Sequence, residues 1–332
     1  MKRLIIGPVI VAALLSANLW LGHGQERRSS PGQPDSATVI PPSNPLRVAL
    51  LKWYAANRVT SFNVGANPEG LAFDGASMWI ASAGSNTVTK VRVSDGAILG
   101  TFGAGQGPVA AAFDGANVWV VNENDNTVSK LRASDGTTLG TFGVGRLPIG
   151  VAFDGAYIWV TNQNDWTVSK LRASDGKTLG TFNVGTPPYL VAFDGVSIWV
   201  TEPVSNTITK LRASDGTILG TFNAGNQPSG VAFDGANVWV ANTADNTVTK
   251  LRASDGTTLG TFAIPAIEPT GVAFDGANIW VTNVISNSVS ELRASDGKVL
   301  GTFPVGSFPY AVAFDGASIW VANANGSTVN KL

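Results

Sequence analysis

Carboxylates, amides and aromatic side chains are the groups in this sequence that could carry out chemistry. The only histidine is His23, and there is no cysteine. The chain after His23 therefore cannot form a Ser-His-Asp triad or a histidine metal cluster. Without cysteine it has no thiolate nucleophile and no ligands for an Fe–S cluster. An enzyme built from the remaining residues must use carboxylates, tyrosine, lysine or arginine. No cofactor is expected other than a hard cation, Ca²⁺ or Mg²⁺, held by oxygen ligands.

Residues that interrupt a repeated pattern are the best candidates for a binding site. The tetrapeptide Ala-Phe-Asp-Gly occurs seven times, with its Asp every 40 residues and once after 41. The residue that follows a loop proline varies from repeat to repeat, and only Tyr occurs twice. These seven residues are Glu69, Val109, Ile149, Tyr189, Ser229, Thr270 and Tyr310. An acid and two phenols in one ring suit a polar ligand.

A second ring of positions holds amides and a single acid. The ring reads Ser82, Asn122, Asn162, Glu202, Asn242, Asn283 and Asn323. Carboxylate and amide oxygens are ligands for hard cations, so Glu202 with Asn162 or Asn242 is the predicted Ca²⁺ or Mg²⁺ site.

Other variable loop residues add an aromatic ring and charges. Trp166 replaces an asparagine that recurs in the same turn of other repeats, and Arg146, Glu123 and Glu268 also vary. The predicted ligand-binding residues are Glu69, Tyr189, Glu202, Tyr310, Trp166 and Arg146.

The elements that must position these residues are short β-strands. Each repeat has four runs rich in Val, Ile, Phe, Trp and Thr, separated by Gly, Asp, Asn, Ser and Pro, and none is long enough for a helix. We call the four strands of a repeat A, B, C and D in chain order. Asp-Gly pairs supply the positive φ that the tight turns between A and B and between C and D require. In the second repeat we predict strand A at Val109–Asp114, B at Asn117–Val121, C at Thr127–Arg132 and D at Thr138–Phe142.

The number of strands predicts a closed ring. Stacking four-stranded units radially buries faces that one unit leaves exposed. Strands A, B and C occur seven times, but strand D follows only six of them, ending with Val299–Phe303. The segment Arg58–Gly65 matches the missing D strand. The predicted fold is therefore all-β, a seven-bladed β-propeller of four-stranded blades. An N-terminal strand, Arg58–Phe62, should pair with Thr328–Leu332 and complete the last blade.

The two faces of such a propeller differ in sequence. The A–B and C–D turns, which form the turn face, are nearly identical in every repeat, whereas the B–C and D–A loops, which form the variable face, differ. Loops also vary where nothing constrains them. Variation confined to one face nevertheless predicts that a ligand binds there, near the mouth of the central channel.

The repeat resembles a known family. Ile158-Trp-Val-Thr-Asn162, Thr167-Val-Ser-Lys170 and Phe182-Asn-Val-Gly185 are similar to the 40-residue YVTN β-propeller repeat, with Trp in place of the usual Tyr. The resemblance covers about residues 58–332 and implies a secreted, periplasmic or surface-layer propeller, mostly without known activity. Trp199-Val-Thr-Glu202 more distantly resembles repeats of streptogramin (virginiamycin B) lyase. That family is understood to use a catalytic histidine, which residues 58–332 lack.

Two repeated features have a structural interpretation. Lys130 and Arg132 of strand C recur together with the turn residues Asp114 and Asp135, and we expect solvated ion pairs of little energetic value. Mid-strand tryptophans should pack between blades rather than stack on sugars. These are Trp79, Trp119, Trp159, Trp199, Trp239, Trp280 and Trp320.

The N-terminal residues predict export. Met1-Lys2-Arg3 followed by the apolar stretch Leu4–Gly22 is typical of a signal peptide, cleaved before Gln25. The stretch is also near the length that spans a bilayer, so an uncleaved anchor is the alternative. The predicted domains are a signal peptide or anchor at 1–24, a disordered linker at 25–44, a short helix at 45–57 and the propeller at 58–332. The protein should be secreted or periplasmic, or anchored by the uncleaved segment.

The net charge of the chain limits the classes of partner that it could bind. A net charge of −1, with evenly spread Lys and Arg, argues against nucleic acid and anionic membranes. We expect a monomer that contacts a membrane only through an N-terminal anchor. The leading hypothesis is an exported binding module for a polar ligand, which is a glycan, a peptide or an envelope protein.

Two alternatives remain open. One is a metal-assisted lyase or lactonase that uses Glu69 and Glu202, and the other is a structural envelope protein. An enzyme should have a deep pocket at the channel mouth with two convergent acids and a perturbed pKa. A binding module should have a broad, shallow face with exposed aromatic rings.

Overall fold

A computed structural model describes residues 59–332, which form seven four-stranded antiparallel sheets. The predicted signal peptide or anchor, the linker and the helix at 45–57 lie outside the described residues. The predicted all-β seven-bladed propeller is confirmed. Within residues 59–332, none of the helices has the length and apolarity that a membrane crossing requires.

The strands follow each other in the order A, B, C, D within each blade. Blades 1 and 2 contain β2 (Pro68–Phe73), β3 (Ser77–Ser82), β4 (Thr87–Arg92), β5 (Ile98–Gly103), β6 (Pro108–Phe113), β7 (Asn117–Asn122), β8 (Thr127–Arg132) and β9 (Thr138–Gly143). Blades 3 and 4 contain β10 (Pro148–Phe153), β11 (Tyr157–Asn162), β12 (Thr167–Arg172), β13 (Thr178–Asn183), β14 (Val191–Phe193), β15 (Ser197–Glu202), β16 (Thr207–Arg212) and β17 (Ile218–Asn223). Blades 5 and 6 contain β18 (Pro228–Phe233), β19 (Asn237–Asn242), β20 (Thr247–Arg252), β21 (Thr258–Ala263), β22 (Pro269–Phe274), β23 (Asn278–Asn283), β24 (Ser288–Arg293) and β25 (Val299–Pro304). Blade 7 contains β26 (Pro309–Phe314), β27 (Ile319–Asn323), β28 (Thr328–Lys331) and, as its D strand, β1 (Thr60–Asn63). Two 3-10 turns lie at Gln163–Asp165 and Ala324–Gly326.

The ring is closed by β1. This strand pairs antiparallel with β28, and Phe62 lies opposite Val329 in the register. The ring of Phe62 stacks on that of Trp320, with centroids 5.5 Å apart. The predicted pairing of the N-terminal strand with the C-terminal strand is therefore confirmed. Closure of this kind leaves neither strand as an open edge.

The repeated tryptophans form the core between blades, as predicted. Trp119 is fully buried, and its indole N–H donates to Oδ2 of Asp114 at 2.8 Å. Phe142 of the D strand lies 5.5 Å from the Trp119 ring. The same Trp–Asp hydrogen bond recurs in all seven blades at 2.7–2.8 Å. Each A–B turn is thus tied to the core through its Asp carboxylate, which in blade 2 also accepts from the amides of Ala116 and Asn117.

The expectation of solvated ion pairs is correct for the C–D turns and wrong for the lysines. Arg132 pairs with Asp135 at 2.9 Å, with both side chains about half exposed. Lys130 is instead buried, 7% exposed, and its Nζ donates to the carbonyl of Ala173 in the next blade at 2.6 Å. The same Nζ lies 5.1 Å from the centre of the Trp119 ring. The lysine therefore joins neighbouring blades, because a buried ammonium needs a carbonyl and an aromatic face to replace water.

Candidate functional site

A repeated hydrogen bond holds the loops of the variable face. In five blades an asparagine in the B–C turn has a φ between 48° and 62°, a left-handed conformation that asparagine tolerates. Its side-chain oxygen accepts from the backbone N–H of a D–A loop in the next blade at 2.8–3.0 Å. The donor residue in each case precedes the proline that starts strand A. The five asparagines are Asn86, Asn126, Asn206, Asn246 and Asn287.

Blade 3 and the loop that follows it depart from this pattern together. Trp166 occupies the asparagine position with φ 57°, and the loop residue that would donate to it is Pro187, which has no N–H. Proline also cannot adopt the positive φ found at the other loop positions, so the loop bends at Gly185 instead, with φ 89°. Strand β14 consequently begins only at Val191, and Tyr189 lies in the loop before it.

We expect Trp166→Asn to stabilise the protein. The substitution removes the left-handed strain of a bulky residue, for a gain of about 1 kcal/mol in the free energy of unfolding. The gain should not be larger, because Pro187 offers no N–H to an asparagine side chain. Urea denaturation of the two proteins measures the difference. In the matched control, Asn126→Trp should cost about 2 kcal/mol, since it adds the strain and loses one hydrogen bond. A destabilised Trp166→Asn protein would show that the indole makes stabilising contacts.

The start of strand A lines a cavity in the central channel. The cavity has a volume of about 390 Å³, and Glu69, Tyr189 and Tyr310 lie on its wall together with Glu123 and Gln163 from the B–C turns. A second cavity of about 320 Å³ shares Gln163, Tyr189 and Tyr310 with the first and reaches Glu268. Among the described residues, no Lys or Arg lines either cavity. We call this region the channel mouth.

Two tyrosines from distant blades meet at the channel mouth. The hydroxyl of Tyr189, in blade 4, forms a hydrogen bond with the hydroxyl of Tyr310, in blade 7. Burial raises the pKa of both phenols, and for Tyr310 the neighbouring Tyr189 adds to the effect. Both phenols are therefore neutral near pH 7, when each hydroxyl has a hydrogen to donate.

Two carboxylates lie on the same wall. Burial raises the pKa of Glu69 to about 7, and the charge of Glu123 contributes to this rise. Burial also raises the pKa of Glu123 itself. A like charge beside a partly desolvated carboxyl disfavours its ionised form, and at Glu69 this adds to the effect of burial. Glu69 is therefore an acid that exchanges its proton near neutral pH.

This pKa predicts how stability depends on pH. The folded state binds the proton of Glu69 more tightly than the unfolded state, so stability should fall as pH rises from about 4.5 to about 7. After allowance for solvent screening at a partly exposed group, the loss should be about 1–2 kcal/mol. Glu69→Gln should remove it, so that the variant matches the wild type at pH 4.5 and exceeds it at pH 8 in urea denaturation. Glu123→Gln should remove only part of it. Parallel pH profiles for Glu69→Gln and wild type would contradict the assignment.

Glu202 lies inside its blade rather than at the channel mouth. It is 1% exposed, and its Oε2 accepts a hydrogen bond from the Thr207 hydroxyl at 2.7 Å. Its Oε1 is buried and has no hydrogen-bond partner among the described residues. Burial raises the pKa of this carboxyl.

The predicted cation ligands are not brought together. Asn162 accepts from the N–H of Gly145 and donates to Thr167 and Ser169, all within blade 3 and its loop. Asn242 makes the equivalent bonds in blade 5. Asn122, Asn162 and Asn242 therefore each hold the preceding D–A loop against the B–C turn of their blade. Residues 59–332 contain no group of three or more acidic, His or Cys side chains that could hold a metal ion. The predicted Ca²⁺ or Mg²⁺ site receives no support from this geometry.

Trp166 and Arg146 lie on the variable face but line neither of the two cavities. Trp166 is 49% exposed. Arg146 forms an ion pair with Asp165 at 2.6 Å, so its charge is already balanced within the loops. Of the six predicted ligand-binding residues, the channel cavity brings together Glu69, Tyr189 and Tyr310.

A third ring of positions at the channel mouth was not recognised from the sequence. It consists of the residues that directly follow the amide ring, and five of them line the two cavities. Glu123 was noted as a variable residue but was not paired with Glu69. The shared offset from the amide ring could have identified the set. These five residues are Glu123, Gln163, Pro203, Thr243 and Val284.

Fold and site together define a closed seven-bladed propeller whose channel mouth is acidic and lined by tyrosines. No family model and no curated protein matches the chain, so the YVTN resemblance stays a prediction.

Solved structures share the fold. A streptogramin B lyase is 18% identical with a TM-score of 0.72, covering 82% of this chain and 96% of that one. Virginiamycin B lyase from Staphylococcus aureus is 20% identical with a TM-score of 0.71, and the match covers 82% of this chain and 98% of the lyase. Kuenenia stuttgartiensis hydrazine synthase is 16% identical with a TM-score of 0.72, covering 80% and 95%. At these identities the likeness shows the fold alone.

Proposed function

We propose that this protein is an exported binding module that takes a small polar ligand, a glycan or a peptide, at the channel mouth. The observation that carries the proposal is the convergence of Glu69, Glu123, Tyr189 and Tyr310 on one cavity of about 390 Å³. This volume is within the range of sites for small ligands. An envelope protein could present such a ligand as an exposed loop.

The chemistry of the wall suits a ligand with both hydroxyl or amide groups and apolar surface. The phenols and Gln163 supply donors, and ionised carboxylates accept hydrogen bonds from the ligand. Val109, Ile149 and Val151 contribute apolar surface beside these groups. The mouth thus offers polar groups and apolar surface side by side, with the polar surface the larger share.

A ligand screen tests the proposal. Glycans and short peptides are tested for binding to the full chain by ligand-observed NMR, and hits are titrated against variants. Glu69→Gln and Tyr310→Phe should each weaken a channel ligand about tenfold, because each removes one hydrogen bond in a desolvated site. Asp135→Asn, on the turn face, is the matched control and should leave affinity unchanged. Unchanged affinity in both channel variants would refute the proposal.

One observation favours a second function, a lyase or lactonase. A carboxyl whose pKa is about 7 is suited to act as a general base or acid at neutral pH, and Glu69 has this property. The second acid would be Glu123 rather than Glu202, which is buried in its blade. The structure offers no cluster for an assisting metal among residues 59–332, so no step is assigned to one.

Turnover separates the two functions. Hits from the screen are incubated with the protein, and products are followed by mass spectrometry. An enzyme should lose about 100-fold or more of its rate in Glu69→Gln while still binding the ligand, because general acid–base catalysis contributes at least this factor. A ligand recovered unchanged would leave binding as the function.

Export rests on the N-terminal sequence. The segment Leu4–Gly22 has the apolar body of a signal peptide after the charged Lys2 and Arg3. Expressed in a bacterium, the protein should therefore appear outside the cytoplasm, or in the membrane fraction if the segment is not cleaved. Fractionation followed by immunoblotting measures this. Retention of the full chain in the cytosol would contradict export.

A further inference from the structure

Blade 6 breaks the lysine pattern of the core. In the other six blades a strand-C lysine places its Nζ 4.9–5.4 Å from the centre of the core tryptophan ring. In blade 6 this position is Glu291, which lies opposite Trp280 in the strand register. A carboxylate therefore stands where six blades have an ammonium group.

The six lysines show what an ammonium group contacts at this position. Lys90 lies over the Trp79 ring, 3.4 Å from Oδ2 of Asp74, and donates to the carbonyl of Ala133. All six donate to a carbonyl of a neighbouring blade at 2.5–2.7 Å. In these six blades the repeat thus provides an aromatic face and a carbonyl of a neighbouring blade for one ammonium group, and in blades 1 and 7 the turn carboxylate also lies 3.4–3.9 Å away.

Blade 6 keeps the aromatic ring and the turn carboxylate and opens them to solvent. Asp275 accepts the indole N–H of Trp280 at 2.7 Å, as in the other blades. A cavity of about 310 Å³ adjoins them, lined also by Glu291, Phe303 and Phe314. Trp280 is the one tryptophan of the seven that is not fully buried. No Lys or Arg among residues 59–332 lines this cavity.

The charges in the cavity are unbalanced. Burial raises the pKa of Glu291, and the nearby charge of Asp275 adds to the effect. Oε1 of Glu291 accepts a hydrogen bond from the side-chain amide of Asn278 at 2.8 Å. In blades 2 and 5 the equivalent asparagine bonds to the turn Asp instead. Two carboxylates beside an aromatic face favour a cation between them.

We propose that the blade-6 pocket, defined by Asp275, Trp280 and Glu291, binds the ammonium group of a lysine side chain presented by a partner polypeptide. The ammonium group takes the place that Lys Nζ has in the other blades, over the Trp280 ring and beside both carboxylates. The alkyl stem of the lysine lies against Phe303 and Phe314, since such stems pack readily on apolar surface. The pocket is lined by turn residues such as Asp275 and Ser318, so it belongs to the turn face and is independent of the channel mouth.

Binding of a capped lysine to the full chain tests the proposal. The probe is Nα-acetyl-lysine methylamide, and its neutral counterpart is Nα-acetyl-norleucine methylamide, which has the same stem without the ammonium group. Ligand-observed NMR titration should show binding of the lysine compound only. Glu291→Gln should weaken it about fivefold or more, because one charge-assisted contact is lost. Glu291→Lys should abolish binding, since it supplies the ammonium group from the chain itself.

Glu69→Gln is the control that separates the two sites, and it should leave lysine binding unchanged. Loss of binding in Glu69→Gln but not in Glu291→Gln would place the probe in the channel and overturn the proposal. Equal binding of the norleucine compound would also overturn it, as would the absence of binding to the wild type. Glu291→Gln is isosteric, so the test does not depend on the folding of Glu291→Lys.

Discussion

Deletion of residues 1–65 should leave a chain that no longer unfolds cooperatively as a monomer. The deletion removes β1, which pairs with β28 and brings Phe62 onto the Trp320 ring. Phe62 also packs under the turn at Gly96, where an added Cβ would lie 1.9 Å from its ring, so β1 contacts blade 1 as well as blade 7. The loss should be comparable with the stability of a whole domain, about 5 kcal/mol or more.

Urea denaturation and light scattering after size exclusion measure this effect. The open edge of β28 should also promote association with other chains. Deletion of residues 1–56 is the matched control, because it keeps β1 and should leave unfolding cooperative and the protein monomeric. A 66–332 fragment that stays monomeric with an unchanged melting temperature would show that closure by β1 does not stabilise the ring.

Trp239→Ala should cost about 4 kcal/mol in the free energy of unfolding. Trp239 is fully buried, its indole donates to Asp234 at 2.7 Å, and Phe262 lies 5.7 Å from its ring. The substitution creates a cavity between blades and leaves the Asp234 carboxylate without one of its donors. Denaturant titration at pH 7 gives the difference from wild type.

The matched control for this prediction is Trp280→Ala, at the same position of blade 6. Trp280 is partly exposed beside a cavity, so its removal should cost about half as much, about 2 kcal/mol. Equal costs at both positions would contradict the view that blade 6 is the less tightly packed blade.

The fold was predictable because every blade repeats the same turn residues and the same strand pattern. Asp-Gly pairs determine where the tight turns lie. Strands A, B and C occur seven times but strand D follows only six of them, so an N-terminal strand is needed to complete the ring. In the second blade the observed strands Pro108–Phe113 and Thr138–Gly143 lie within one residue of the predicted ones. Local propensity and pattern agree here, which is the condition under which sequence predicts structure.

The site was only partly predictable, because its contacts join different blades. The ring position after the loop proline correctly pointed to Glu69, Tyr189 and Tyr310 as neighbours in one cavity. The sequence does not show that side chains of the amide ring are buried within the blades. Glu202 was therefore predicted to lie at the surface, whereas the structure places it in the interior of its blade. The bond of Lys130 to the next blade likewise depends on the angle between blades, which no single repeat encodes.

The position of a bound ligand shows whether the channel mouth is the binding site. The measurement is a crystal structure of the full chain with the tightest glycan or lysine-free peptide from the screen, so that the blade-6 pocket does not compete. We expect density at the channel mouth, in contact with Glu69 and with the hydroxyl of Tyr189 or Tyr310. Density on the turn face, among the repeated Asp-Gly turns, with no ligand in the channel, would contradict this expectation.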